Sequence, residues 1–283
     1  MTLVLRTAIV GGGPAGLQAA LTLGRMHVET VLFDDERYRN ATSARMRNVL
    51  GWDGATPAEL RSAGRTELAA YPWVHVVGES VVSARAHGDG FALATTSSEW
   101  LVDHLLIASG VDDDLLPIPG LHDLWGDLVL PCPYCHGYEF SPGPIAIISS
   151  GGHAEHIGAL LRGLADAVPV LEPDEVTAVT RSASGVTIAL RAGGTVEAAC
   201  VFIPPNAKPR SSLFTDLGVT GGADGIDVNA LGRTSVPNVW AAGDVARRAA
   251  PRIPAGIVTA MASGLTAAAD IAAAVSAARD ARG

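Results

Sequence analysis

The stretch 6-RTAIVGGGPAGLQAALTLGRMHVETVLFDDE-36 decides the fold. A short apolar run, Ala8 to Val10, meets Gly11-Gly12-Gly13-Pro14-Ala15-Gly16, and an amphipathic helical pattern follows. A second apolar run, Thr30 to Phe33, ends at Asp34. Strand, glycine turn, helix and strand together read as a dinucleotide-binding βαβ unit, which a bare G-x-G-x-x-G would not establish. Gly11 permits the tight turn, Gly13 lets a pyrophosphate approach the backbone, and Gly16 allows helix and strand to pack closely. Pro14 and Ala15 open the helix, whose N–H groups and positive dipole end attract phosphate. Asp34, about 20 residues further on, is placed to accept hydrogen bonds from a ribose diol. An acid there fits FAD or NAD and opposes the 2′-phosphate of NADP.

The rest of the chain is consistent with that start. Its 283 residues suffice for one large domain or two ordinary ones. Apolar residues at 48% with aromatics at 5% describe an α/β core of Ala, Val, Leu and Ile. A net charge of −9, one lysine (Lys208) and no basic run argue against a nucleic-acid partner. The opening MTLVLRTAIVGGG lacks a cationic region followed by an apolar stretch and cleavage site, so a cytoplasmic location is expected. The alanine-rich segment 257–278 carries Asp270 at its middle and is expected as a buried helix, with no membrane partner.

Two further stretches, 234-TSVPNVWAAGDVA-246 and 105-LLIASG-110, resemble the flavin-binding elements of disulfide oxidoreductases with two dinucleotide folds. The first reads as a strand, Asn238 to Ala242, ending at Gly243-Asp244, with a helix from about Ile257. Far from both lies 129-VLPCPYCHGYEF-140. Its Cys132-Pro-Tyr-Cys135-His136 has the spacing of a c-type haem attachment, of half a zinc site, of a glutaredoxin-like dithiol, or of a pair relaying electrons to a flavin. The residues of this motif alone leave all four open.

Taken together, these motifs resemble the low-molecular-weight thioredoxin reductase family of FAD-dependent disulfide oxidoreductases. The likeness runs through GGGPAG, Asp34, Arg39-Asn40, 49-VLGWDG-54, Ala108-Ser109-Gly110, the C-x-x-C and Ala242-Gly243-Asp244. Cys132-Pro-Tyr-Cys135-His136-Gly-Tyr-Glu139 is most similar to its dithiol oxidase branch, the gliotoxin- and holomycin-type enzymes. Ordinary thioredoxin reductases carry an aspartate where this chain has His136. The resemblance implies an α/β flavoprotein with two dinucleotide-binding domains. An FAD domain from residues 1–113 and 224–283 would be split by a shortened nucleotide-like domain, 114–223, carrying the C-x-x-C. It also implies FAD contacts from Gly11, Gly13, Pro14, Ala15, Gly16, Asp34, Arg39, Asn40, Gly51, Asp53, Val81, Ala108, Ser109, Gly110, Gly243, Asp244, Gly256 and Ile257. Most relatives place a glutamine where this chain has Gly256. A homodimer is a further implication.

With that resemblance the redox relay is favoured over the other readings of the cysteine motif. Haem attachment needs export, and His153-x-x-His156 is shorter than the usual zinc spacing, so no metal is expected. By resemblance, Cys132 is the sulfur attacked by substrate and Cys135 the one facing the flavin. His136 can serve as base, because thiols near pKa 8.5 are mostly protonated at neutral pH. Glu139 is placed either to orient His136 or to be solvated.

A second βαβ unit at 144-PIAIISSGGHAEHIGALLRGLADAVPVL-171 would bind NADPH in a reductase. Ser149 stands where its first glycine belongs, and Glu172, Asp174 and Glu175 follow the second strand where the family places phosphate-gripping arginines. The chain from Ala167 to Val179 is about 20 residues short of a complete crossover. The domain is therefore expected to be vestigial. That leaves a small-molecule dithiol as electron donor and O₂ as acceptor, giving a disulfide and H₂O₂. A thioredoxin reductase-like enzyme fed by ferredoxin or by NADPH, a non-catalytic flavoprotein and a zinc module are the alternatives. Arg247, Arg248 and Arg252 read as solvated charges, with a place on a substrate or dimer surface as the alternative, the scattered His75, His87, His104 and His122 as structural, and Cys200 as an inert buried thiol.

Overall fold

The computed structural model describes residues 4–248 and 255–280, with side chains for 7–248 and 255–279. Arg252 lies outside the described residues. The chain divides into two compact units, one of residues 1–39, 58–112 and 207–283, the other of residues 40–57 and 113–206.

The first part of the chain contributes β1 (Val4–Val10), α1 (Pro14–Arg25), β2 (Thr30–Phe33), α2 (Pro57–Leu68), β3 (Val74–Val77), β4 (Ser83–His87), β5 (Gly90–Ala94), β6 (Glu99–Ile107) and β7 (Val111–Asp114). The middle contributes β8 (Val129–Leu130), α3 (Pro133–His136), β9 (Ile145–Ile148), α4 (Gly151–Leu161), β10 (Val170–Leu171), β11 (Val176–Ser182), β12 (Gly185–Leu190), β13 (Thr195–Ala198), β14 (Cys200–Phe202) and β15 (Asn206–Pro209). The chain then returns through α5 (Leu213–Asp216), β16 (Gly221–Gly222), β17 (Gly225–Val228), β18 (Val239–Ala241), β19 (Ala246–Arg248) and α6 (Ile257–Asp280).

In the first unit a seven-stranded sheet runs β3-β2-β1-β6-β5-β4, with β18 also paired to β6. The pairs joining β3, β2, β1, β6 and β18 are parallel. Their register aligns Val10 with Phe33 and Ile107, and Ile107 with Ala241. The residues that follow (Gly11, Asp34, Ala108 and Ala242) therefore emerge along one edge of the sheet, the carboxyl edge where open α/β folds bind ligands. Helix α1 packs on α6 through small residues: Ala15, Ala19 and Ala20 on one side, Ala260, Ala267 and Ala268 on the other, all buried. At Gly264 the approach is close enough that a side chain would strike the Ala15 carbonyl. By length and composition α6 could cross a membrane. Its mid-helix Asp270, however, accepts hydrogen bonds from Arg233 Nε at 2.5 Å and the Trp240 indole at 2.8 Å.

The second unit is built on a parallel sheet ordered β10-β9-β14-β8, with the antiparallel sheet β11-β12-β13 in the same unit. Register again aligns strand ends: Leu171 with Ile148, and Phe202 with both Ile147 and Leu130. The cysteine turn after β8, the Ser149-Ser150-Gly151 turn after β9 and Glu172 after β10 thus share one edge. Helix α4 covers the sheet through Ala154, Ile157 and Leu161, packed with Leu130, Ile147 and Phe202. No helix separates β10 from β11; a single 3₁₀ turn, Pro173–Glu175, fills the gap.

The return to the first unit occurs at Ala207, earlier than the boundary at 223/224 expected from sequence. The reason is packing: Leu213, Val219 and Ile226 are buried in one cluster with Phe33, Phe91 and Val245. Residues 40–57, read from sequence as part of the FAD domain, group with the second unit.

Candidate active site

The nucleotide cradle of the first unit is shaped by what glycine permits. Gly11 has φ +114°, and a side chain there would strike the Ala108 carbonyl. A side chain on Gly16 would strike the Gly11 carbonyl, whereas nothing lies within 4 Å of the place a Gly13 side chain would occupy. Gly13 is the N-cap of α1, Pro14 sits in its first turn, and no side chain caps it. The first helical N–H groups beside that open space suit a phosphate. Ser109 Oγ is buried with no hydrogen-bond partner among the described residues. Gly110 and Gly243 adopt φ of +70° and +75°. The Gly243 N–H donates to Ser263 Oγ at 2.9 Å, so α6 fixes the turn before Asp244. At the start of α6, Ala260 N–H and Thr259 Oγ1 both donate to the Gly256 carbonyl, each at 2.9 Å, with Ile257 the first helical residue. Val81 is buried in the same unit. These features fit a bound dinucleotide.

Two residues of that set are more engaged than their sequence positions suggested. Asp34, 2% exposed, receives the Glu36 N–H at 3.1 Å, the Tyr38 hydroxyl at 2.7 Å and Arg65 Nη2 at 2.5 Å. A ribose diol would share it with Tyr38 and Arg65. Burial, and then the hydrogen bond and charge of Asp34, push the Tyr38 phenol up. Asp244 pairs with Arg39 at 2.7 Å, joining two expected cofactor residues. Sequence reasoning missed Tyr38, Arg61 and Arg65. Arg61 lies 3.8 Å above the Tyr38 ring, and Arg65 also holds Glu36 at 2.9 Å.

Asn40, Gly51 and Asp53 fall in the 40–57 segment and therefore in the second unit. Gly51 has φ +81°, and Asp53 Oδ1 accepts the Asn48 N–H at 2.7 Å. The same unit carries the cysteine turn. Cys132 is the N-cap of α3 with Pro133 in its first turn, and Cys135 N–H donates to the Cys132 carbonyl at 3.2 Å. Both cysteines are half-buried thiols, one turn apart. Gly137 follows, its N–H donating to the Pro133 carbonyl at 2.7 Å. A side chain at Gly137 would lie 2.7 Å from that carbonyl, so glycine suits the end of α3.

His136 is pushed below its usual value of 6.5 by burial, with Glu139 raising it, Arg47 lowering it and the Cys132 backbone raising it. Its ring is thus held neutral at pH 7, the form that accepts a proton. Nδ1 is buried with no hydrogen-bond partner among the described residues. Glu139, an exposed residue, is paired with Arg47 Nε at 2.9 Å. Cys200 is fully buried in β14, and burial pushes its thiol far up, so it stays protonated and inert.

At the second βαβ unit Ser149 is 3% exposed and Gly151 has φ +58°. Glu172 and Glu175 cap the 3₁₀ turn reciprocally, with Glu172 N–H donating to Glu175 Oε2 at 3.0 Å. Arg191 Nε is turned to the Asp174 carbonyl at 2.8 Å. No group of three or more His, Cys, Asp or Glu side chains suited to a metal occurs among the described residues. Arg247, expected as a solvated charge, pairs with Asp224 and Asp227, each at 2.5 Å.

Comparison with known proteins bears on these features. The family model described as pyridine nucleotide-disulphide oxidoreductase matches residues 5–175 and 165–264. The chain is 36% identical over 152 residues to thioredoxin reductase tcpT of Claviceps purpurea, covering 52% of this chain and 47% of that one. It is 37% identical over 172 residues to thioredoxin reductase aclD of Aspergillus oryzae, covering 57% and 54%. It spans about half the length of the curated relatives it matches. Among solved structures, HlmI is 31% identical with a TM-score of 0.86, covering 100% of this chain and 98% of that one. An oxidoreductase from Agrobacterium tumefaciens is 27% identical with a TM-score of 0.87, covering 96% and 99%.

Proposed function

Because the chain belongs to the pyridine nucleotide-disulphide oxidoreductase family, we propose that this FAD-binding oxidoreductase acts as a dithiol oxidase, closing a disulfide in a small dithiol. The observation that carries the reading is the exit of β10. Glu172 and Glu175 stand there, locked in a reciprocal cap, where an NADPH site needs cations. A 2′-phosphate would meet like charge, while the cysteine turn at the same sheet edge keeps both sulfurs and a neutral histidine.

The residues support the following chemistry. In the oxidised enzyme a substrate thiolate attacks Cys132 Sγ, the Cys132–Cys135 bond breaks, and Cys135 leaves as thiolate. His136 takes the proton from the second substrate thiol, whose sulfur then attacks the mixed disulfide and expels Cys132 as thiolate. The substrate has lost two electrons and two protons, and the enzyme pair holds the electrons. Bound FAD supplies a two-electron acceptor for the cysteine pair and a route to O₂, so that one H₂O₂ forms per disulfide. Tyr134 and Tyr138, 55% and 81% exposed, offer aromatic surface next to the pair and favour a compact, ring-bearing dithiol. A homodimer belongs to the same proposal.

An oxygen electrode with a peroxide assay tests it. With dithiothreitol as donor, one O₂ should disappear and one H₂O₂ appear per disulfide formed. Negligible oxygen uptake, with rapid reduction by ferredoxin or NADPH instead, would make the enzyme a reductase.

A further inference from the structure

The segment 46–55 is closed on itself. Met46 N–H donates to the Ala55 carbonyl and Gly54 N–H to the Met46 carbonyl, each at 2.8 Å. Asp53 Oδ1 ties Asn48 N–H at 2.7 Å, and Met46 and Val49 are buried beneath. This turn carries Arg47. The guanidinium meets Glu139 Oε1 through Nε at 2.9 Å and Asp53 Oδ2 through Nη1 at 3.6 Å. It also lies 3.1 Å from the place a side chain on Gly54 would occupy. Arg47 is therefore held from two sides on a preformed loop, and one of its partners, Glu139, lies three residues past His136.

We propose that Arg47 is a positioning residue of the dithiol site: by holding Glu139 through Nε, it sets how much of that carboxylate's charge reaches the His136 imidazole. The proposal rests on the dithiol chemistry above, which gives a neutral His136 its purpose. An unopposed glutamate beside a half-buried histidine favours the imidazolium, and a protonated ring cannot accept a thiol proton. A guanidinium paired to that glutamate offsets the effect. The charged groups acting on His136 are Glu139 from the 3₁₀ turn Tyr138–Phe140 and Arg47 from the 46–55 turn. Asp53 stands behind Arg47, and the Cys132 and Cys135 thiols share the turn of His136. The chain of α4 and the residues just after it meet Gly137 through Leu161 and Leu164, both uncharged. On α4, His156 acts on His153.

The test is the titration of His136 in the FAD-loaded enzyme, followed by NMR with ring-labelled histidine and assigned by loss of its signal in H136Q. Against wild type, R47Q should raise the midpoint, E139Q should lower it, and R47K should stay close to wild type because it keeps the charge. The double variant R47Q/E139Q removes the pair together and leaves no half-buried charge unpaired. It should titrate above E139Q alone, and that comparison decides the matter if R47Q does not fold. The acid limb of flavin bleaching by dithiothreitol should move in the same direction in each variant, with R47Q slow at pH 6 and recovered by pH 8. Equal midpoints for R47Q and wild type, or for the double variant and E139Q, would overturn the role of Arg47. If the midpoints move as stated but dithiothreitol bleaches none of the proteins, the dithiol oxidase reading fails while Arg47 keeps its hold on His136.

Discussion

At the end of β1 stands Gly11, with φ +114° and no room for a side chain. At the corresponding end of β9 stands Ser149, buried, and the left-handed φ moves two residues on, to Gly151 at +58°. The third position of the motif is Gly16 in one unit, pressed on a carbonyl, and Ala154 in the other, packed on Ile147 and Phe202. Past the second strand, Asp34 is held by Tyr38 and Arg65, whereas Glu172 and Glu175 cap each other. Both units are strand, turn, helix and strand in parallel register. Topology alone therefore does not make a nucleotide site; the turn geometry and the charge at the strand exit do.

The largest effect that would sharpen this contrast comes from the cysteine turn, the feature the second unit keeps. Cys135→Ser should lower dithiol-driven turnover roughly 1,000-fold or more, since a residue acting within a relay removes the whole path. Stopped-flow reduction would show it, and turnover near wild type would mean that the sulfurs are bystanders. Next come the two glycines. G11A places a side chain against the Ala108 carbonyl at a positive φ and should cost about 3 kcal/mol with loss of bound FAD. G151A meets nothing within 4 Å and should cost only the ~1 kcal/mol of its backbone conformation. Thermal melts and the flavin-to-protein absorbance ratio of both variants make the comparison, and equal costs would erase the distinction between the two turns.

A smaller effect is expected in pH dependence. Burial lowers His136 below 6.5, so the base is neutral above that pH and is lost as pH falls through the lowered value. Divided by the thiolate fraction of the donor, the rate of flavin reduction by dithiol should hold flat through pH 7 and fall only below 6.5. A limb centred above 6.5 would mean that Glu139 outweighs burial. The smallest effect belongs to S149G. Restoring the glycine should leave the enzyme unresponsive to NADPH, because Glu172 and Glu175 remain at the strand exit. Bleaching of S149G by NADPH would place the defect in the turn and not in the charge.

Much of this was legible in the sequence where the signal is local. The runs 8–10 and 30–33, the glycine turn and the helix from Ile257 read directly, because period and turn chemistry act over a few residues. So did the missing helix between β10 and β11, since too little chain was left to form it. The return at Ala207 was hidden, because Leu213, Val219 and Ile226 are single apolar residues whose partners, Phe33 and Phe91, lie far away in sequence. The same holds for Arg65 on Asp34 and for Arg47 on Glu139. Each is an arginine in an unremarkable stretch, made significant by a carboxylate far off in sequence, 31 residues away in one case and 92 in the other. Asp34 itself was found by its position at a strand end, but its engagement by protein donors was not, since those donors come from α2 and from the segment just after β2.

The most direct test of the central claim is an anaerobic absorbance titration of the FAD-loaded protein, first with NADPH and then with dithiothreitol. No bleaching is expected with NADPH; full bleaching is expected with dithiol once two equivalents have been added, one for the Cys132–Cys135 disulfide and one for the flavin, with recovery of the oxidised spectrum on admitting air. Prompt bleaching by NADPH would contradict the claim, and would mean that the Ser149 turn and the Glu172–Glu175 cap form a working nucleotide site.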